Sequence, residues 1–185
     1  MRDLRAGGNT TVTACDVDAI VLTHPCSHTQ VVIKPDEPLP FTDETFDVIA
    51  NDTTFEHIEN PELVSRELLR TLRPAGYICA RTPNRFGYLR PASGLFPNRL
   101  HIWLLGYFQP DRKAEDVFPT RYKLNSGAQI KRWFSGCDVY HYFDSAEPAY
   151  YFGRKAFYHI FFLIHKLVPA SLATGICFFI KKPSQ

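Results

Sequence analysis

This chain of 185 residues is expected to form one α/β domain in which a mostly parallel sheet carries helices on both faces. Short apolar segments typical of strands alternate with helical segments from residue 11 to residue 84. Their order is strand, helix, strand, strand, helix, strand, which favours parallel pairing through crossover connections. The composition, with 45% hydrophobic and 22% charged residues, is that of a globular protein with a sizeable core.

Four strands are predicted in the first half of the chain, because short runs rich in β-branched and apolar residues end there at turn residues. They are expected at Thr11–Asp16, 31–33, Phe46–Asn51 and Tyr77–Ala80. A short helix, capped by Asp18, is expected to follow the first strand and to reach Thr23.

The clearest helix signal lies between the third and fourth strands. Asn60 fits the N-cap position and Pro61 the first helical position, where the missing amide hydrogen of proline costs nothing. Pro74 and Gly76 are expected to stop this helix. Its inner face is predicted from apolar residues at a spacing of four, namely Val64, Leu68 and Leu72.

The second half of the chain is expected to complete the sheet. Its predicted elements are a helix at Ser126–Phe134 capped by Asn125 or Ser126, a strand at Asp138–Phe143, an apolar helix at Arg154–Leu167 and a last strand at Gly175–Lys181. The segment 85–125 is crowded with proline, glycine, arginine and aromatic residues. It is predicted to be an insertion over one edge of the sheet, with a helix near 98–107.

The charge and the cysteine content narrow the class of protein. A formal net charge of +2 without a run of lysine or arginine argues against a protein that binds nucleic acid through a dense basic surface. Five cysteines, without a CxxC pair, are expected to be reduced, which favours a cytoplasmic protein. The start MRDLRAGGNT has no apolar segment typical of a signal peptide.

Two local patterns invite other interpretations. The apolar tract Ala156–Ile180 is interrupted by His165, Lys166 and Pro169, so a helix followed by a strand is expected instead of a membrane span. Peripheral contact of this tract with a membrane stays open. The close group of His24, Cys26 and His28 is interrupted by a proline and lacks a fourth ligand, so no metal site is expected.

Five short motifs stand in order between residues 39 and 84. They are Leu39-Pro40-Phe41, Phe46-Asp47, Glu56-His57, Leu72-Arg73-Pro74-Ala75-Gly76 and Thr82-Pro83-Asn84. In this order and spacing they resemble the second half of the class I S-adenosylmethionine-dependent methyltransferases of the type 11-like kind. Ala75 replaces a glycine that is usual in the family. A looser resemblance extends from residue 11 to the C-terminus.

The resemblance implies a Rossmann-like methyltransferase sheet, mostly parallel with its last strand antiparallel, and S-adenosylmethionine lying across the carboxyl ends of the first strands. That position agrees with the general rule for ligands of open α/β sheets. In the family, the first strand ends in a glycine-rich loop, which this sequence does not show. The glycines of the Arg5–Asn9 segment precede the second strand of the family pattern. The first strand is therefore expected to be missing, as in a fragment or a degenerate relative.

The family pattern also implies roles for residues at the strand ends. Asp16 would accept hydrogen bonds from the ribose hydroxyls, because an ionised carboxylate offers only acceptors, and Val17 would lie against the adenine. Asp36, or Glu37 in its place, would lie beside the adenine amino group. For Asp16 and Asp36 the alternatives are a helix cap and a solvated turn.

Three more residues are candidates at the end of the fourth strand of the family pattern, where the methyl group and the acceptor would meet. Asn51 would contact the cofactor, and Asp52 would orient a nucleophile or stabilise positive charge; the alternative is a polar strand end with an Asx-type turn. His57 would remove a proton from the acceptor. The alternative is that Glu56 and His57 are structural and bond the turn around Asn60.

The function expected from these patterns is methyl transfer from S-adenosylmethionine to a small-molecule, lipid or sugar-type acceptor. The alternative is a non-catalytic, methyltransferase-like remnant that serves as a binding or assembly module. Such a remnant would present an unpaired sheet edge, through which it could self-associate.

Overall fold

The structure, a computed structural model, describes residues 10–88, 119–144 and 155–184. The chain divides into two compact units, Met1–Thr42 and Asp43–Gln185. The expected helix near 98–107 and the glycine-bearing Arg5–Asn9 segment lie outside the described residues. The assignment of all 185 residues to one domain with an insertion stays a prediction.

The first unit contains two parallel strands. Strand β1 (Thr13–Asp16) pairs with β2 (Thr29–Val32), and the register runs from Thr13 opposite Thr29 to Asp16 opposite Val32. A 3₁₀ helix at Ala19–Thr23 connects them. Its N-cap is Asp18, whose carboxylate accepts a 2.9 Å hydrogen bond from the amide of Ile20. The predicted order of strand, capped helix and strand is present, but the first strand starts two residues later than predicted, the second starts two residues earlier, and the helix is a short 3₁₀ helix.

The second unit holds a four-stranded sheet. Its elements in chain order are β3 (Phe46–Asp52), α1 (Pro61–Thr71), β4 (Leu72–Pro83), α2 (Gly127–Trp133), β5 (Asp138–Asp144), α3 (Lys155–Leu167) and β6 (Gly175–Lys181). The strand order is β3-β4-β6-β5. Strands β3 and β4 are parallel, whereas β6 is antiparallel to both β4 and β5. The predicted antiparallel last strand is thereby confirmed.

Helix α1 starts as predicted and ends earlier. Asn60 caps it by accepting a 3.1 Å hydrogen bond from the amide of Leu63. The helix ends at Thr71, before the predicted stop at Pro74 and Gly76, and β4 begins immediately at Leu72. Lys182 explains this end, because its ammonium group donates to the carbonyl oxygens of Leu69 and Leu72 at 2.8 and 2.7 Å. These carbonyls would otherwise lack partners at the helix C-terminus.

Strand β4 has an irregular start where a short strand from Tyr77 was predicted. Phe46 of β3 pairs with Leu72, but Val48 pairs with Tyr77, so the residues between Leu72 and Tyr77 bulge out of the ladder. Ala75 lies in this bulge with φ at 60°. Regular pairing with β3 then runs from Tyr77 to Arg81.

The two faces of the second sheet differ in burial. Alternate residues of β4 and β6 form the core together with residues around α2, and this set comprises Ile78, Ala80, Ile176, Phe178, Ile180, Leu124, Ile130 and Phe134. Helix α1 contacts β4 and α2. Side chains of the opposite face are largely exposed, among them Val48, Tyr140 and Tyr142. The described residues therefore cover this face only in part.

Two further findings concern the cysteines and the length of the apolar helices. All five cysteines are free thiols. Among the described helices, none is both long and apolar enough to cross a membrane.

Candidate functional site

Polar residues gather at the carboxyl edge of the two-stranded sheet in the first unit. Asp16 ends β1 and is exposed, and its Oδ1 accepts a 3.0 Å hydrogen bond from the amide of Asp18. An ionised carboxylate can accept several hydrogen bonds, so this contact leaves capacity for a ligand. Val17 follows with an exposed side chain.

Asp36 lies in the loop that follows β2, on the same edge of this sheet because the two strands are parallel. Its backbone has φ at 58°, a left-handed conformation that aspartate tolerates better than most residues. Its neighbour Glu37 pairs with Lys34 at 3.4 Å. Asp36 therefore lies on the same sheet edge as Asp16 and Val17, within one unit.

The carboxyl end of β3 carries the next two candidates. Asn51 lies opposite Ala80 of β4, and its amide nitrogen is buried without a hydrogen-bond partner among the described residues. A buried donor that lacks a partner is costly, which makes this group a candidate for hydrogen bonding to a ligand. Asp52 lies opposite Arg81 and accepts hydrogen bonds from its guanidinium at 2.9 and 3.3 Å.

The ion pair between Asp52 and Arg81 changes the expected chemistry of Asp52. Both side chains are about half exposed. The hydrogen bond that Arg81 donates to Asp52 raises the pKa of Arg81 above its already high value, so the arginine remains a cation. Asp52 is thus held at the strand end by a neighbouring positive charge, and the sequence did not indicate that Arg81 is its partner.

His57 lies just beyond β3, at the end of a 3₁₀ helix formed by Phe55–His57. Its Nδ1 is 3.3 Å from the carbonyl oxygen of Pro119. Because a carbonyl oxygen can only accept, this hydrogen bond requires a proton on Nδ1 and leaves Nε2 as the basic nitrogen of the neutral ring. Nε2 is 3.9 Å from the carboxylate of Glu56.

Glu56 is buried, and its hydrogen bonds within the described residues go to Thr82 and to the segment at Arg121, not to the turn around Asn60. Its Oε2 accepts a 3.0 Å hydrogen bond from the hydroxyl of Thr82, and its backbone oxygen accepts from the amides of Arg121 and Tyr122 at 2.6 and 3.1 Å. The hydroxyl of Thr82 in turn accepts a 2.7 Å hydrogen bond from the amide group of Asn125. This Glu56–Thr82–Asn125 network joins three separate segments next to His57.

Sequence patterns indicated the members of this network only indirectly. Thr82 belongs to one of the short motifs at the end of β4, and Asn125 was an alternative cap for α2. Ser126 caps that helix instead, through a 3.4 Å hydrogen bond from the amide of Gln129. Asn125 is fully buried, and its second amide hydrogen bond goes to the carbonyl oxygen of Pro83.

A second buried amide fixes the loop after β4. Asn84 donates to the carbonyl oxygens of Ser171 and Ala173, both at 2.9 Å, and accepts from the amide of Phe86 at 3.1 Å. The loop that leaves β4 is therefore tied to the loop that enters β6.

In the group His24, Cys26 and His28, the side chain of the last residue bonds the backbone, whereas Nδ1 of His24 is buried without a hydrogen-bond partner among the described residues. Nδ1 of His28 accepts a 3.1 Å hydrogen bond from the amide of Val12. Over residues 10–88, 119–144 and 155–184, no group of three histidine, cysteine or acidic side chains could hold a metal ion.

The candidates thus fall into two groups, each at the carboxyl ends of parallel strands. Asp16, Val17 and Asp36 share an edge in the first unit. Asn51 and Asp52 end β3 in the second unit, and His57 follows shortly after. In each group, the polar side chains lie where open α/β sheets bind their ligands.

Comparison with protein families gives one match. Residues 1–80 match the family model described as a methyltransferase domain. No curated protein sequence matches the chain.

Solved structures with a similar fold are numerous, and 97 chains match. A chain of the complex between the Trm112 methyltransferase activator of Haloferax volcanii and a protein described as a putative methyltransferase has a TM-score of 0.61 and 14% identity; the match covers 98% of this chain and 76% of that one. An S-adenosylmethionine-dependent methyltransferase from Mesorhizobium loti has a TM-score of 0.58 and 16% identity, with 93% and 80% covered. A protein from Thermotoga maritima, described as a possible histamine N-methyltransferase, has a TM-score of 0.57 and 12% identity, with 92% and 72% covered. These likenesses show the fold that the strand order β3-β4-β6-β5 indicates.

Proposed function

We propose that the chain is a class I methyltransferase that transfers a methyl group from S-adenosylmethionine to an acceptor, and the match of residues 1–80 to the methyltransferase domain model supports this. The observation that carries the proposal is the position of the polar candidates. In both units, they follow parallel strands at the carboxyl edge, where ligands of open α/β sheets bind.

The residues of the first unit fit the nucleoside part of the cofactor. The carboxylate of Asp16 would accept hydrogen bonds from the ribose hydroxyls, since it already accepts one from a backbone amide and keeps further acceptor capacity. The exposed side chain of Val17 would cover one face of the adenine. Asp36 would accept a hydrogen bond from the adenine amino group.

Asn51 is a further predicted contact of the cofactor. Its buried amide nitrogen has no partner among the described residues, and a ligand oxygen would satisfy it. The bound cofactor supplies an electrophilic methyl group on a sulfonium, which an acceptor oxygen, nitrogen or carbon can attack in line. Positioning of the two reactants would then account for much of the rate.

His57 and Asp52 would act on the acceptor. With Nδ1 donating to the carbonyl of Pro119, Nε2 of His57 could take the proton that the acceptor loses. Asp52, held by Arg81, would orient the attacking group. The acceptor class that we propose is a small molecule, including lipid or sugar-type molecules.

Isothermal titration calorimetry with S-adenosylmethionine tests the proposal directly. The wild-type protein should bind the cofactor, and Asp16→Asn should weaken binding by about tenfold, because a neutral amide accepts hydrogen bonds less strongly than a carboxylate. Asp138→Asn is the matched control. Asp138 is also an exposed aspartate, but it lies at the amino end of its strand, whereas Asp16 lies at the carboxyl end. Folded protein that releases no heat with the cofactor would refute cofactor binding by this chain.

A second candidate function is that of a binding or assembly module that pairs through a sheet edge with another copy. It is favoured by β3, which is an edge strand among the described residues and exposes Val48. Light scattering behind a size-exclusion column separates the two candidates. A dimer that does not bind the cofactor supports the module, whereas a monomer that binds it excludes this role.

A further inference from the structure

Helix α3 has an apolar row that is exposed in the part of the chain that the structure describes. Ile160, Leu163 and Leu167 are 54%, 57% and 74% exposed. Their spacing of three and four places them on one side of the helix, one above the other. Three large aliphatic side chains in one row are more than the scattered exposed leucines of an ordinary surface.

The opposite side of α3 holds it to its own unit. Tyr158, Phe161, Ile164 and His165 are half-buried. Nδ1 of His165 is 2.8 Å from the hydroxyl of Tyr88, and the two rings meet edge to face. The orientation of α3 is therefore fixed, and the apolar row points away from this attachment.

A basic row runs beside the apolar row. Its basic residues are Lys155, His159 and Lys166. Phe162 lies between the last two, so that the row has spacings of four, three and four. The ammonium group of Lys166 lies 4.6 Å from the centre of the Phe162 ring, so its alkyl chain extends along apolar surface. The helix contains no aspartate or glutamate. Apolar and basic rows side by side on the outer half are typical of helices that lie in a membrane interface.

We propose that α3 docks the protein on the surface of an anionic membrane. The apolar row would enter the boundary between headgroups and acyl chains, while Lys155 and Lys166 reach the phosphate groups beside it. Contact with a second copy through this row is disfavoured, because two helices without acidic residues would bring their positive charges close together and repel each other. The 13 described residues of the helix would lie on the membrane surface, since a spanning helix needs about 20. The proposal does not depend on methyl transfer.

Flotation of the full chain with lipid vesicles tests the docking. One set of vesicles contains phosphatidylcholine alone, and the other also contains phosphatidylglycerol. The protein should float with the anionic vesicles, and the bound fraction should fall as salt is raised, since the screening length is already only about 10 Å at 0.1 M salt. Leu163→Glu with Leu167→Glu should lower the affinity at least about tenfold.

The matched control is Ile20→Glu with Leu22→Glu. These two residues are 72% and 57% exposed, close to the values for Leu167 and Leu163, and they lie outside α3. The control adds the same negative charge, so its binding must stay near that of the wild type. A second variant, Lys155→Gln with Lys166→Gln, leaves the apolar row intact and should lose the preference for anionic vesicles.

Three results would overturn the proposal. The wild type could fail to float with either set of vesicles. The glutamate pair in α3 could float as well as its control. Sedimentation equilibrium could find a dimer that the same pair converts to a monomer, without vesicle binding, in which case a second copy covers α3. Thermal melting checks that each variant and the control are folded. We expect them to be, because substitutions at exposed positions usually change stability little.

Discussion

The hydroxyl of Thr82 donates a 3.0 Å hydrogen bond to Oε2 of Glu56 and thereby joins two buried side chains that are 26 residues apart. Thr82 lies at the end of β4, and Glu56 lies in the 3₁₀ helix after β3. Because Asn125 donates to the same hydroxyl, the bond also reaches the N-terminal end of α2. The segment that carries His57 is thus held by a buried polar network, and such networks are costly when they are only partly satisfied.

We expect Thr82→Val to destabilise the protein although the two side chains have nearly the same shape. The valine leaves the carboxylate of Glu56 and the amide of Asn125 short of a partner, at a cost of about 1–3 kcal/mol. Urea unfolding measures the loss as a lower midpoint with an unchanged slope. Thr10→Val, at an exposed threonine, is the control and should leave the midpoint in place. Equal midpoints for the two variants would show that the network contributes nothing to stability.

We expect Ala75→Gly to stabilise the protein. Ala75 has φ at 60°, a left-handed conformation in which a Cβ lies too close to the following carbonyl oxygen. Glycine, which has no Cβ, adopts this conformation without that strain. The relief of this strain should exceed the entropy that glycine loses on folding, for a net gain on the order of 1 kcal/mol. Thermal melting should show a higher midpoint. Ala170→Gly in an exposed 3₁₀ helix is the control, and it should lower the midpoint slightly.

The neighbouring Gly76 should not tolerate the reverse change. A Cβ on Gly76 would lie 2.8 Å from the carbonyl oxygen of Asp47 and 2.9 Å from that of Arg73, both of them backbone atoms. Gly76→Ala should therefore lower the melting temperature by several degrees, as a loss of about 1–3 kcal/mol would. A melting temperature equal to that of the wild type would mean that the backbone of the bulge shifts to accommodate the added Cβ without a loss of stability.

We expect His57→Gln to separate cofactor binding from turnover. If His57 receives the acceptor's proton, the variant should keep the wild-type affinity for S-adenosylmethionine and lose about a hundredfold or more in turnover. Calorimetry measures the first quantity, and formation of S-adenosylhomocysteine with an acceptor that the wild type methylates measures the second. Unchanged turnover would leave His57 with a structural role only, through its hydrogen bond to Pro119.

Local signals predicted the elements well. The capping pair Asn60 and Pro61 fixed the start of α1, and the apolar run at Gly175–Lys181 gave β6 within its observed bounds. Both signals act between residues that are close in sequence, so the sequence alone contains them. The family resemblance added the antiparallel last strand, which periodicity does not indicate.

Long-range partners could not be predicted in the same way. The end of α1 depends on Lys182, whose ammonium group reaches the carbonyl of Leu72 from 110 residues away. Asp52 meets Arg81 only because β3 and β4 are parallel in one particular register. The roles of Asp16, Val17, Asp36, Asn51, Asp52 and His57 stay predictions, since they concern a ligand and not the fold.

Acid unfolding should depend on Glu59. Hydrogen bonding to Lys123 and the nearby charge of Arg121 hold the pKa of Glu59 below its ordinary value. A carboxyl whose pKa is lower in the folded state binds fewer protons there than in the unfolded state. Its stabilisation is therefore fully present above the unfolded-state pKa, about 4.3, and is lost as the pH falls through the lower folded-state pKa.

Glu59→Gln should remove this pH dependence. The variant should melt below the wild type at neutral pH, and the two melting temperatures should converge as the pH falls below about 4. Raising the salt concentration should shrink the difference at neutral pH, since both partners of Glu59 are half exposed. A constant difference between Glu59→Gln and the wild type at every pH would show that the loss comes from packing and not from the charge of Glu59.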